Sequence, residues 1–442
     1  MISARFRVPL LVASIISLLV LYFFLLYDGD KYAGKLLFDP PEETTGRAVW
    51  KEESDCPYLP GIDDVQVIMK TGATEALEKV PVHFHTTLKC IPHFVVFSDF
   101  EEDLAGVHTI DVLRTVDENI KQTNPEFDLY NRLRASGRKG LHESDINNDP
   151  STPSGKPENP GWKLDKWKFL PMMNETLHVR DDAKWYVFME ADTYISWPNL
   201  LDWLEKFDSS VPYYLGTQMM VGDMVFAHGG SGYVISRAAM QKFAEYRAPR
   251  VAELDEFTAS QWAGDCVLGK VLSDAGVGLF YSQPMIQGAT PWAYNYFDHD
   301  KQYWCTPVIT YHHMTPEDVR DTWAFERRWR IETRKPILLH SDVFDGLIQR
   351  ELEQLSKIQE DWDNESSDEH QGETRSIEDC EAHCVDDKEC VQYSYQPGRC
   401  WKSKSAKRGS RKPDTTSGWL PGRINKTVTK LGSCKKMEWI TP

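Results

Sequence analysis

The sequence predicts an α/β protein with a membrane anchor before its main domain and a small disulfide-rich module after it. Three observations support this prediction. Trp185–Met189 is a continuous apolar run, short enough to be a core strand of a parallel sheet. Pro9–Tyr27 contains no charged residue, and four of the nine cysteines lie between Cys380 and Cys400. With 442 residues, the chain can form one large core and one smaller module.

The composition argues against binding to nucleic acid. The chain has 50 Lys and Arg against 67 Asp and Glu, which gives a formal charge of −17. A nucleic-acid partner would require a basic stripe. The acidity alone identifies no other partner. The 15 tryptophans suit burial against flat apolar surfaces, including sugar faces, but most are expected in the core.

Pro9–Tyr27 is predicted to cross a membrane once, because its length is close to the roughly 20 residues that a spanning helix needs. Arg5 and Arg7 precede it and Asp28 and Asp30 follow it, so the positive-inside rule leaves the short N-terminus in the cytosol. A cleaved signal peptide is the alternative. The long apolar run and the lack of an Ala-x-Ala-like cleavage site disfavour it. The expected topology is type II.

Two further features agree with a location outside the cytosol. Sequons begin at Asn174, Asn364 and Asn425, and each could carry an N-glycan only in the secretory pathway. The cysteine density near the C-terminus is typical of disulfides. A zinc site is the alternative, but no Cys-x2-Cys pair is present, and the nearby His370 and His383 lack ligand spacing.

From Asp64 onwards the pattern alternates between strands and helices. The predicted strands are Val65–Met69, His93–Phe97, Trp185–Met189 and Val308–Met314. A first helix is predicted to start within Thr71–Val80, and another at Gly264. Further helices are predicted over Leu164–Met173, Asn199–Phe207 and Ile348–Asp363. Asn131–Gly161, rich in Gly, Ser, Asn and Pro, is predicted to be a long surface loop.

Two carboxylates follow the strand Trp185–Met189. Glu190 and Asp192 stand at its C-terminal edge, on either side of Ala191. Ligands of open α/β sheets bind at that edge, and residues i and i+2 of an extended chain project from the same face. The pair could therefore converge on one hard cation, which could in turn hold a diphosphate. A solvated strand-end turn is the alternative.

Two more residues could complete such a site. His312, in the last predicted strand, can supply an imidazole, and oxygen ligands with one imidazole suit Mn²⁺. A lone histidine is more often a core residue. Asp265 stands in the first turn of a helix, where it can cap the helix or act as a general base, or do both.

Four segments, in this order along the chain, resemble the motifs of glycosyltransferase family 31, in particular the core 1 β1,3-galactosyltransferases and the Fringe enzymes. The segments are Trp185–Tyr194, Gly229–Ser236, Gly264–Gly269 and Thr310–His312, within a resemblance that spans roughly residues 62–320. The resemblance implies a GT-A fold, a UDP-sugar donor, Mn²⁺ and inversion at the anomeric carbon.

The resemblance also implies roles for individual residues. By position, Asp192, Glu190 and His312 would bind the metal, and Asp265 would be the catalytic base. The sequence departs from the family pattern at Glu190, at Ala191 in place of the middle acid, and at Gly264 in place of the acid before the base. The expected donor-binding residues are Glu190, Asp192, Thr71, Trp162, Gly229 and Gly230, with core packing as the alternative for Trp162.

The C-terminal cysteines, in the spacing Cys-x3-Cys-x5-Cys-x9-Cys from Cys380 and followed by Ser417–Leu420, resemble a PAN/Apple domain. This resemblance implies the disulfides Cys380–Cys400 and Cys384–Cys390. It also implies a binding module for a glycoprotein or polysaccharide, with a stabilising appendage as the alternative.

The remaining cysteines leave alternatives open. Cys434 is either free or bonded to the main domain, since no cysteine lies between Cys305 and Cys380. Cys56–Cys90 and Cys266–Cys305 are conceivable pairs.

The leading hypothesis is an inverting, metal-dependent β1,3-glycosyltransferase of the Golgi membrane. It would move a hexose, with galactose favoured, from a UDP-sugar to a glycan or glycoprotein. The alternative is a membrane-tethered carbohydrate-binding protein that acts through its PAN module. The oligomeric state stays open. The expected organisation is a cytosolic tail (1–8), a transmembrane anchor (9–27), a stem (28–60), a GT-A domain (61–345), a helical and acidic linker (346–375) and a PAN/Apple-like domain (376–442).

Overall fold

The computed structural model describes residues 56–146, 159–297, 303–355 and 357–442. The predicted tail, the predicted anchor and most of the predicted stem lie outside these ranges. Within them, no helix is both long enough and apolar enough to span a membrane. All described residues fall in one unit, which covers residues 45–442.

The strands form two larger sheets and three two-stranded ones. Their bounds are β1 Val65–Lys70, β2 Phe94–Ser98, β3 Glu102–Leu104, β4 Val107–Asp111, β5 Trp185–Glu190, β6 Tyr194–Ile195, β7 Tyr214–Gly216, β8 Gln218–Val221, β9 Met224–Ala227, β10 Tyr233–Ser236, β11 Leu279–Tyr281, β12 Thr310–Tyr311, β13 Ile358–Gln359, β14 Trp362–Asp363, β15 Asp368–Glu369, β16 Gln392–Gln396, β17 Arg399–Ser403, β18 Ser410–Arg411 and β19 Thr416–Trp419.

Helices cover both faces of the main sheet and one side of the C-terminal sheet. The α-helices are Ala76–Lys79, Pro81–His85, Glu118–Thr123, Asp128–Ser136, Pro160–Asp165, Phe169–Val179, Trp197–Leu204, Arg237–Arg247, Val251–Ser260, Gly264–Asp274, Pro316–Thr333, His340–Val343, Gln349–Gln354, Ile377–Asp386 and Pro421–Leu431. A π-helical turn, Phe344–Ile348, joins two of them.

The main sheet has eight strands in the order β11-β7-β10-β5-β1-β2-β4-β3. Strands β5, β1, β2 and β4 run parallel, whereas β10 is antiparallel to both of its neighbours. Strand β5 pairs with β1 along its whole length, from Val65 opposite Trp185 to Lys70 opposite Glu190. This register places Lys70 and Glu190 side by side at the C-terminal edge of the sheet.

The central strands are apolar throughout because both faces of the sheet are covered. Along β5, Tyr186 and Phe188 join one buried cluster, while Trp185, Val187 and Met189 join the cluster on the opposite face. The alternation of side chains between the two faces therefore explains the continuous apolar run that predicted this strand.

A short antiparallel pairing brings a distant segment to the end of β5. Strand β12 pairs with β6, with Tyr311 opposite Tyr194. The following helix, Pro316–Thr333, is capped by Thr315, whose hydroxyl accepts a 3.1 Å hydrogen bond from the amide of Asp318. The capping box holds the end of the β12 segment close to the turn after β5.

The C-terminal module is a five-stranded antiparallel sheet in the order β13-β19-β16-β17-β15. The helix Ile377–Asp386 packs on it through Cys380 and Cys384, both fully buried. The module does not end at its own core. Val391, Trp419 and Ile424 share one buried cluster with residues of the main domain, which include Phe297 and Trp304.

The structure contains four disulfides: Cys56–Cys90, Cys305–Cys434, Cys380–Cys400 and Cys384–Cys390. Cys380–Cys400 and Cys384–Cys390 are the pairs that the PAN/Apple resemblance implies, and Cys56–Cys90 is one of the two further pairs that the sequence left conceivable. The conceivable pair Cys266–Cys305 is wrong, because Cys266 is a buried free thiol and Cys305 bonds Cys434. Cys434 therefore links the C-terminal module to the main domain.

Several predicted elements differ from the structure. The helix expected within Thr71–Val80 begins only at Ala76, and the strand expected over Val308–Met314 contains only Thr310–Tyr311. The predicted surface loop Asn131–Gly161 includes the last part of the helix Asp128–Ser136 and the start of the helix at Pro160. Residues 147–158 of that loop lie outside the described ranges.

The predicted linker 346–375 also differs. The expected helix over Ile348–Asp363 ends at Gln354, and the rest of the region supplies β13, β14 and β15 to the C-terminal sheets. The acidic residues of β15, Asp368 and Glu369, are exposed on an edge strand, which accounts for their linker-like composition.

Candidate active site

The C-terminal edge of the main sheet carries a buried cluster of charges. The Lys70 ammonium lies 3.0 Å from Oε1 of Glu190 and also forms an ion pair with Asp165. Burial opposes the charge of Lys70, but the two carboxylates outweigh it and raise the pKa of Lys70. Burial raises the pKa of Glu190, although Lys70 works in the opposite direction. Glu190 is therefore held by a lysine of the neighbouring strand.

A second buried ion pair lies beside the first. Lys168 is 2.9 Å from Oδ2 of Asp99 and donates a 2.8 Å hydrogen bond to the carbonyl of Thr71. Thr71, expected at the donor site, thus lies against this cluster, and its buried hydroxyl has no hydrogen-bond partner among the described residues. Gly72 leaves room here, since an added Cβ would come within 2.9 Å of both Asp99 and Lys168.

The turn after β5 is fixed by its backbone. The amide of Glu190 donates to the hydroxyl of Thr193 over 3.0 Å, and this hydroxyl donates to the carbonyl of Gly230 over 2.8 Å. The carbonyl of Ala191 accepts a 2.8 Å hydrogen bond from Nε2 of His83. Burial lowers the pKa of His83 to about 4, so this histidine is neutral and donates through Nε2.

Asp192 projects from this turn towards the β12 segment. Its Oδ1 lies 3.3 Å from Nε2 of His312, and its Oδ2 lies 3.3 Å from the ammonium of Lys79. The amide of Met314 donates to the carbonyl of Asp192 over 3.0 Å, which fixes the backbone of the two segments. The sequence-predicted pair of Asp192 and His312 is thus in direct contact.

Asp192 and His312 each stabilise the charged form of the other. Burial disfavours the charged form of Asp192, but His312 and Lys79 outweigh it and hold the pKa of this carboxyl well below its usual range. Burial also disfavours the charged form of His312, but Asp192 outweighs it and raises the pKa of His312. Nδ1 of His312 is buried and has no hydrogen-bond partner among the described residues.

His313 joins Asp192 and His312. Each of the three residues offers one ligand atom within 4.8 Å of the others, and within the described ranges this is the one such group of three His, Cys, Asp or Glu side chains. The rings of His312 and His313 are 3.8 Å apart. Burial lowers the pKa of His313 to about 4, with the charge of His312 acting in the same direction.

The glycine-rich turn before β10 allows the close approach of these side chains. A Cβ at Gly230 would overlap with the imidazole of His312. A Cβ at Gly229 would lie 3.2 Å from Oε1 of Glu190 and 3.4 Å from Cβ of Asp265. Gly229 therefore separates Glu190 from Asp265, and Gly230 leaves the space that His312 occupies.

Asp265 begins the helix Gly264–Asp274 on the other side of this turn. Its Oδ2 accepts a 3.0 Å hydrogen bond from the amide of Gly229, and its Oδ1 accepts a 2.8 Å hydrogen bond from the amide of Cys266. Burial raises the pKa of Asp265, although both amides act in the opposite direction. The two amides therefore fix the orientation of the carboxylate.

The structure gives physical reasons for two of the departures from the family pattern. Ala191 is buried and its carbonyl bonds His83, so a side chain at this position points into the core. A Cβ at Gly264 would overlap with Phe169 and come within 2.7 Å of Cα of Lys166. A side chain does not fit at Gly264, and an acidic one at position 191 would enter a buried apolar cluster.

Trp162 lies apart from the Asp192 cluster. Its ring stacks on that of Trp262, with centroids 6.1 Å apart and planes inclined by 29°. Trp262 is 47% exposed and lies three residues before Asp265. Trp162 itself is partly buried.

Sequence reasoning missed three residues of this site: Lys70, Lys79 and His313. A signal for Lys70 was present, because it ends a strand that must pair with β5. Lys79 reaches Asp192 from a helix whose start the sequence placed too early. His313 stands next to His312, but alternation along a strand would place the two on opposite faces.

The group of Asp192, His312 and His313 fits a divalent transition-metal ion. It combines carboxylate oxygen with imidazole nitrogen, a donor set that suits Mn²⁺ and later metals. The buried Nδ1 of His312 and the gap left by Gly230 agree with a site built for close approach at this histidine. Glu190 is less available, since Lys70 already holds it.

Comparisons with known proteins agree with this geometry. Residues 166–286 match a family model described as Fringe-like. The chain is 28% identical to Beta-1,3-glucosyltransferase of Mus musculus over 154 residues, which are 33% of the chain and 29% of that protein. It is 29% identical to Beta-1,3-glucosyltransferase of Homo sapiens over 167 residues, which are 35% of the chain and 31% of that protein.

These matches indicate which class of protein the main domain resembles. The domain is a mixed α/β domain with a Fringe-like region, and it resembles glycosyltransferases of family 31. The similarity supports a β1,3-glycosyltransferase. The chain spans about a third of the length of the curated relatives it matches. The Fringe-like region includes Asp192 and Asp265 but ends before His312.

Proposed function

We propose that this protein is an inverting, metal-dependent glycosyltransferase with a GT-A fold. It moves a hexose from a UDP-sugar to a glycan or glycoprotein acceptor and forms a β1,3 linkage. The observation that supports this most is the convergence at one sheet edge. Asp192 contacts His312 there, and Asp265 faces the same glycine turn from the other side.

The donor side of the proposed site is the region around Asp192. Asp192 and His312 would hold a divalent metal ion, which would supply Lewis-acid chemistry for the departure of the donor diphosphate. Lys79 sits at the same carboxylate and adds positive charge next to the expected position of the diphosphate. Lys70 keeps Glu190 in place at the sheet edge, where Glu190 can accept hydrogen bonds from the donor.

The acceptor side is formed by Asp265. Its carboxylate takes the proton from an acceptor hydroxyl, whose oxygen then forms the bond to the anomeric carbon. The bond from that carbon to UDP breaks, and its electron pair leaves with the diphosphate. The backbone amides of Gly229 and Cys266 fix the orientation of the Asp265 carboxylate. A direct displacement converts an α-linked donor into a β-linked product.

The donor sugar is a hexose. The resemblance to core 1 enzymes favours galactose, whereas both curated relatives are named as glucosyltransferases. We therefore propose UDP-galactose and UDP-glucose as the two donors to compare first, with UDP-N-acetylglucosamine as a third.

The alternative is a membrane-tethered carbohydrate-binding protein that acts through its C-terminal module and has lost turnover. The altered acidic motif first suggested it. Ala191 and Gly264 weaken it, because both departures have packing reasons that leave Asp192 and Asp265 in place. The shared core of the two modules instead favours a C-terminal PAN/Apple-like module that stabilises the catalytic domain.

We propose that the protein works in the Golgi as a single-pass type II membrane protein with its catalytic domain in the lumen. Four disulfides fit an oxidising compartment. The uncharged segment 9–27 would be its anchor.

Hydrolysis and transfer assays of the full chain test the proposed activity. Release of UDP from each of the three donors is measured with Mn²⁺ and with a chelator, alone and with a set of acceptor sugars. We expect one hexose donor to be used, and only with metal. Asp265→Asn should abolish transfer, because an amide cannot take the acceptor proton.

Asp274→Asn is the matched control, since Asp274 ends the same helix and pairs with Lys270 at the surface. It should keep wild-type activity. Glycan binding without turnover of any donor, unchanged by Asp265→Asn, would instead establish the binding protein.

A further inference from the structure

We propose that His313 is a third protein ligand for the metal ion, so that Asp192, His312 and His313 form a site of two imidazoles and one carboxylate. The proposal rests on the metal dependence of the proposed function. It adds a residue that lies beyond the motif ending at His312, and it predicts which metals the site prefers.

The distances suit a shared ion. Oδ1 of Asp192 and Nε2 of His312 are 3.3 Å apart. Two ligands at right angles, each about 2.1 Å from a metal, are about 3 Å apart. The ligand atoms of Asp192, His312 and His313 all lie within 4.8 Å of one another, and opposite ligands at that bond length are about 4.2 Å apart.

The other oxygen of Asp192 is already in use. Oδ2 lies 3.3 Å from Lys79, which in turn lies 2.9 Å from Glu75. The carboxylate can therefore bind an ion through Oδ1 alone while Lys79 keeps Oδ2. A site with single-atom contacts from three residues leaves further coordination positions for diphosphate oxygens and water.

The backbone brings the two histidines to one side. Strand β12 ends at Tyr311, and a continued strand would direct His312 and His313 to opposite faces. His313 instead has a φ of 60°, a left-handed conformation that non-glycine residues rarely adopt. As a result the two rings lie 3.8 Å apart. A strained residue next to a cluster of ligands is the kind of feature that function retains.

The buried edge of His312 provides independent support. This residue is 5% exposed, and its Nδ1 has no hydrogen-bond partner among the described residues. Around it stand His313, the glycine turn at Gly230 and the ring of His228, whose centroid is 5.2 Å away. A histidine packed so closely, with Nε2 at a carboxylate, has the surroundings of a metal ligand.

Two imidazoles change the metal preference of the site. A site of oxygen ligands and one imidazole accepts Mn²⁺ readily, whereas each added imidazole favours the later metals such as Co²⁺ and Zn²⁺. Any site of nitrogen and oxygen ligands binds Co²⁺ more tightly than Mn²⁺, and we expect the second imidazole to widen this difference. The variant His313→Asp, which replaces nitrogen by oxygen, should reduce this difference.

The experiment measures metal binding to the full chain without any donor. Calorimetric titrations with Mn²⁺ and Co²⁺ give affinities, and pulsed EPR of bound Mn²⁺ counts the coordinated imidazole nitrogens. Wild type should show two imidazoles, and His313→Ala should show one. The loss of His313 should lower the affinity for both metals at least about tenfold. A tenfold loss is the lower limit seen when a residue that only hydrogen-bonds a metal ligand is removed. His178→Ala, on an exposed histidine of another helix, is the control.

The outcomes separate the proposal from the proposed function. One imidazole in wild type, or unchanged affinity in His313→Ala with an unchanged melting temperature, would overturn the role of His313 while leaving the enzyme intact. If Asp192→Asn also leaves metal binding unchanged, the ion binds elsewhere and this proposal fails. Sugar transfer that persists in a chelator would instead contradict the metal dependence of the proposed function itself.

Discussion

The amide of Gly229 donates a 3.0 Å hydrogen bond to Oδ2 of Asp265. A residue of the glycine-rich turn before β10 therefore orients the carboxylate at the start of a distant helix. The same turn leaves space for His312 through Gly230. Two separate parts of the proposed chemistry, proton removal and metal binding, thus depend on one short stretch of backbone.

Gly230→Ala should weaken metal binding while the protein stays folded. The added methyl group would overlap with the imidazole of His312 and push it away from Asp192. We expect the affinity for Mn²⁺ to fall at least about tenfold, as when a metal-site geometry loses its support. Calorimetry measures the affinity, and thermal unfolding confirms that the variant is folded.

Gly278→Ala is a matched control for this substitution, because no atom lies within 4 Å of a Cβ added there. It should leave Mn²⁺ binding unchanged. Equal affinities in the two variants would show that the position of His312 does not matter for the ion.

The pH profile should show the raised pKa of Asp265. Burial moves this pKa above its ordinary value of 3.8, so the carboxyl still holds its proton at a pH where an exposed aspartate is charged. A protonated carboxyl cannot act as a base. We expect kcat/KM for the acceptor to fall as the pH falls through this raised pKa. The midpoint of this fall should lie at a pH above 3.8, the ordinary pKa of an aspartate.

Metal binding must be measured over the same pH range, because His312 also titrates. An acid limb that follows Mn²⁺ affinity rather than proton transfer would assign the pH dependence to the metal ligands and not to Asp265.

Cys434→Ser should destabilise the whole protein rather than the C-terminal module alone. The Cys305–Cys434 disulfide closes a separation of 129 residues, and the two modules share a buried cluster. Loss of such a crosslink typically costs about 2–5 kcal/mol of unfolding free energy. Denaturant unfolding should show one transition at a lower midpoint.

Cys266→Ala is the control for this experiment, since Cys266 forms no disulfide. Peptide mapping without reductant should recover the Cys305–Cys434 link from both wild type and this variant. A Cys266–Cys305 peptide would contradict the structure.

The three sequons should differ in whether they carry an N-glycan when the chain is produced in secretory cells. Asn425 is exposed on the helix Pro421–Leu431 and has room for a glycan. Asn364 is fully buried, and its amide nitrogen donates to the carbonyls of Tyr393 and Gly418 over 3.1 and 3.2 Å. The predicted glycan at Asn364 therefore conflicts with the folded structure.

Asn425→Gln should remove one glycan, visible as a faster-migrating band, whereas Asn364→Gln should leave the glycan number unchanged. The longer side chain at the buried position should instead lower stability by about 1–3 kcal/mol. The half-buried Asn174 serves as the intermediate case. A band shift in Asn364→Gln would mean that this segment is modified before it folds.

The hydrophobic pattern along the sequence predicted those features of the fold that one strand determines by itself. The run Trp185–Met189 is apolar because both faces of the sheet are buried, and its end marks the ligand edge. The position of Asp192 at this edge follows from the strand, whereas its expected role as a metal ligand also needed the other residues and the family resemblance. His312 depended on the family resemblance, because no local pattern indicates that β12 pairs with β6 across more than a hundred residues.

The remaining features depend on tertiary geometry. Cys305 selects Cys434 over Cys266 because the last helix returns to the main domain, which cysteine spacing does not encode. The region 357–375 looks like a linker in composition because its acidic residues lie on edge strands and in turns. His313 was missed because its left-handed φ breaks the alternation on which the sequence argument relied. The metal and base roles themselves stay predictions until the assays are done.

The free thiol of Cys266 gives this protein an internal reporter. It is fully buried directly after Asp265, and burial, together with the charge of Asp265, raises its pKa to about 11. Alkylating reagents should therefore modify it only when the start of that helix opens. The rate of labelling, followed by mass spectrometry with no engineered probe, would then measure how often that helix start detaches from the turn at Gly229, and whether a bound donor suppresses the opening.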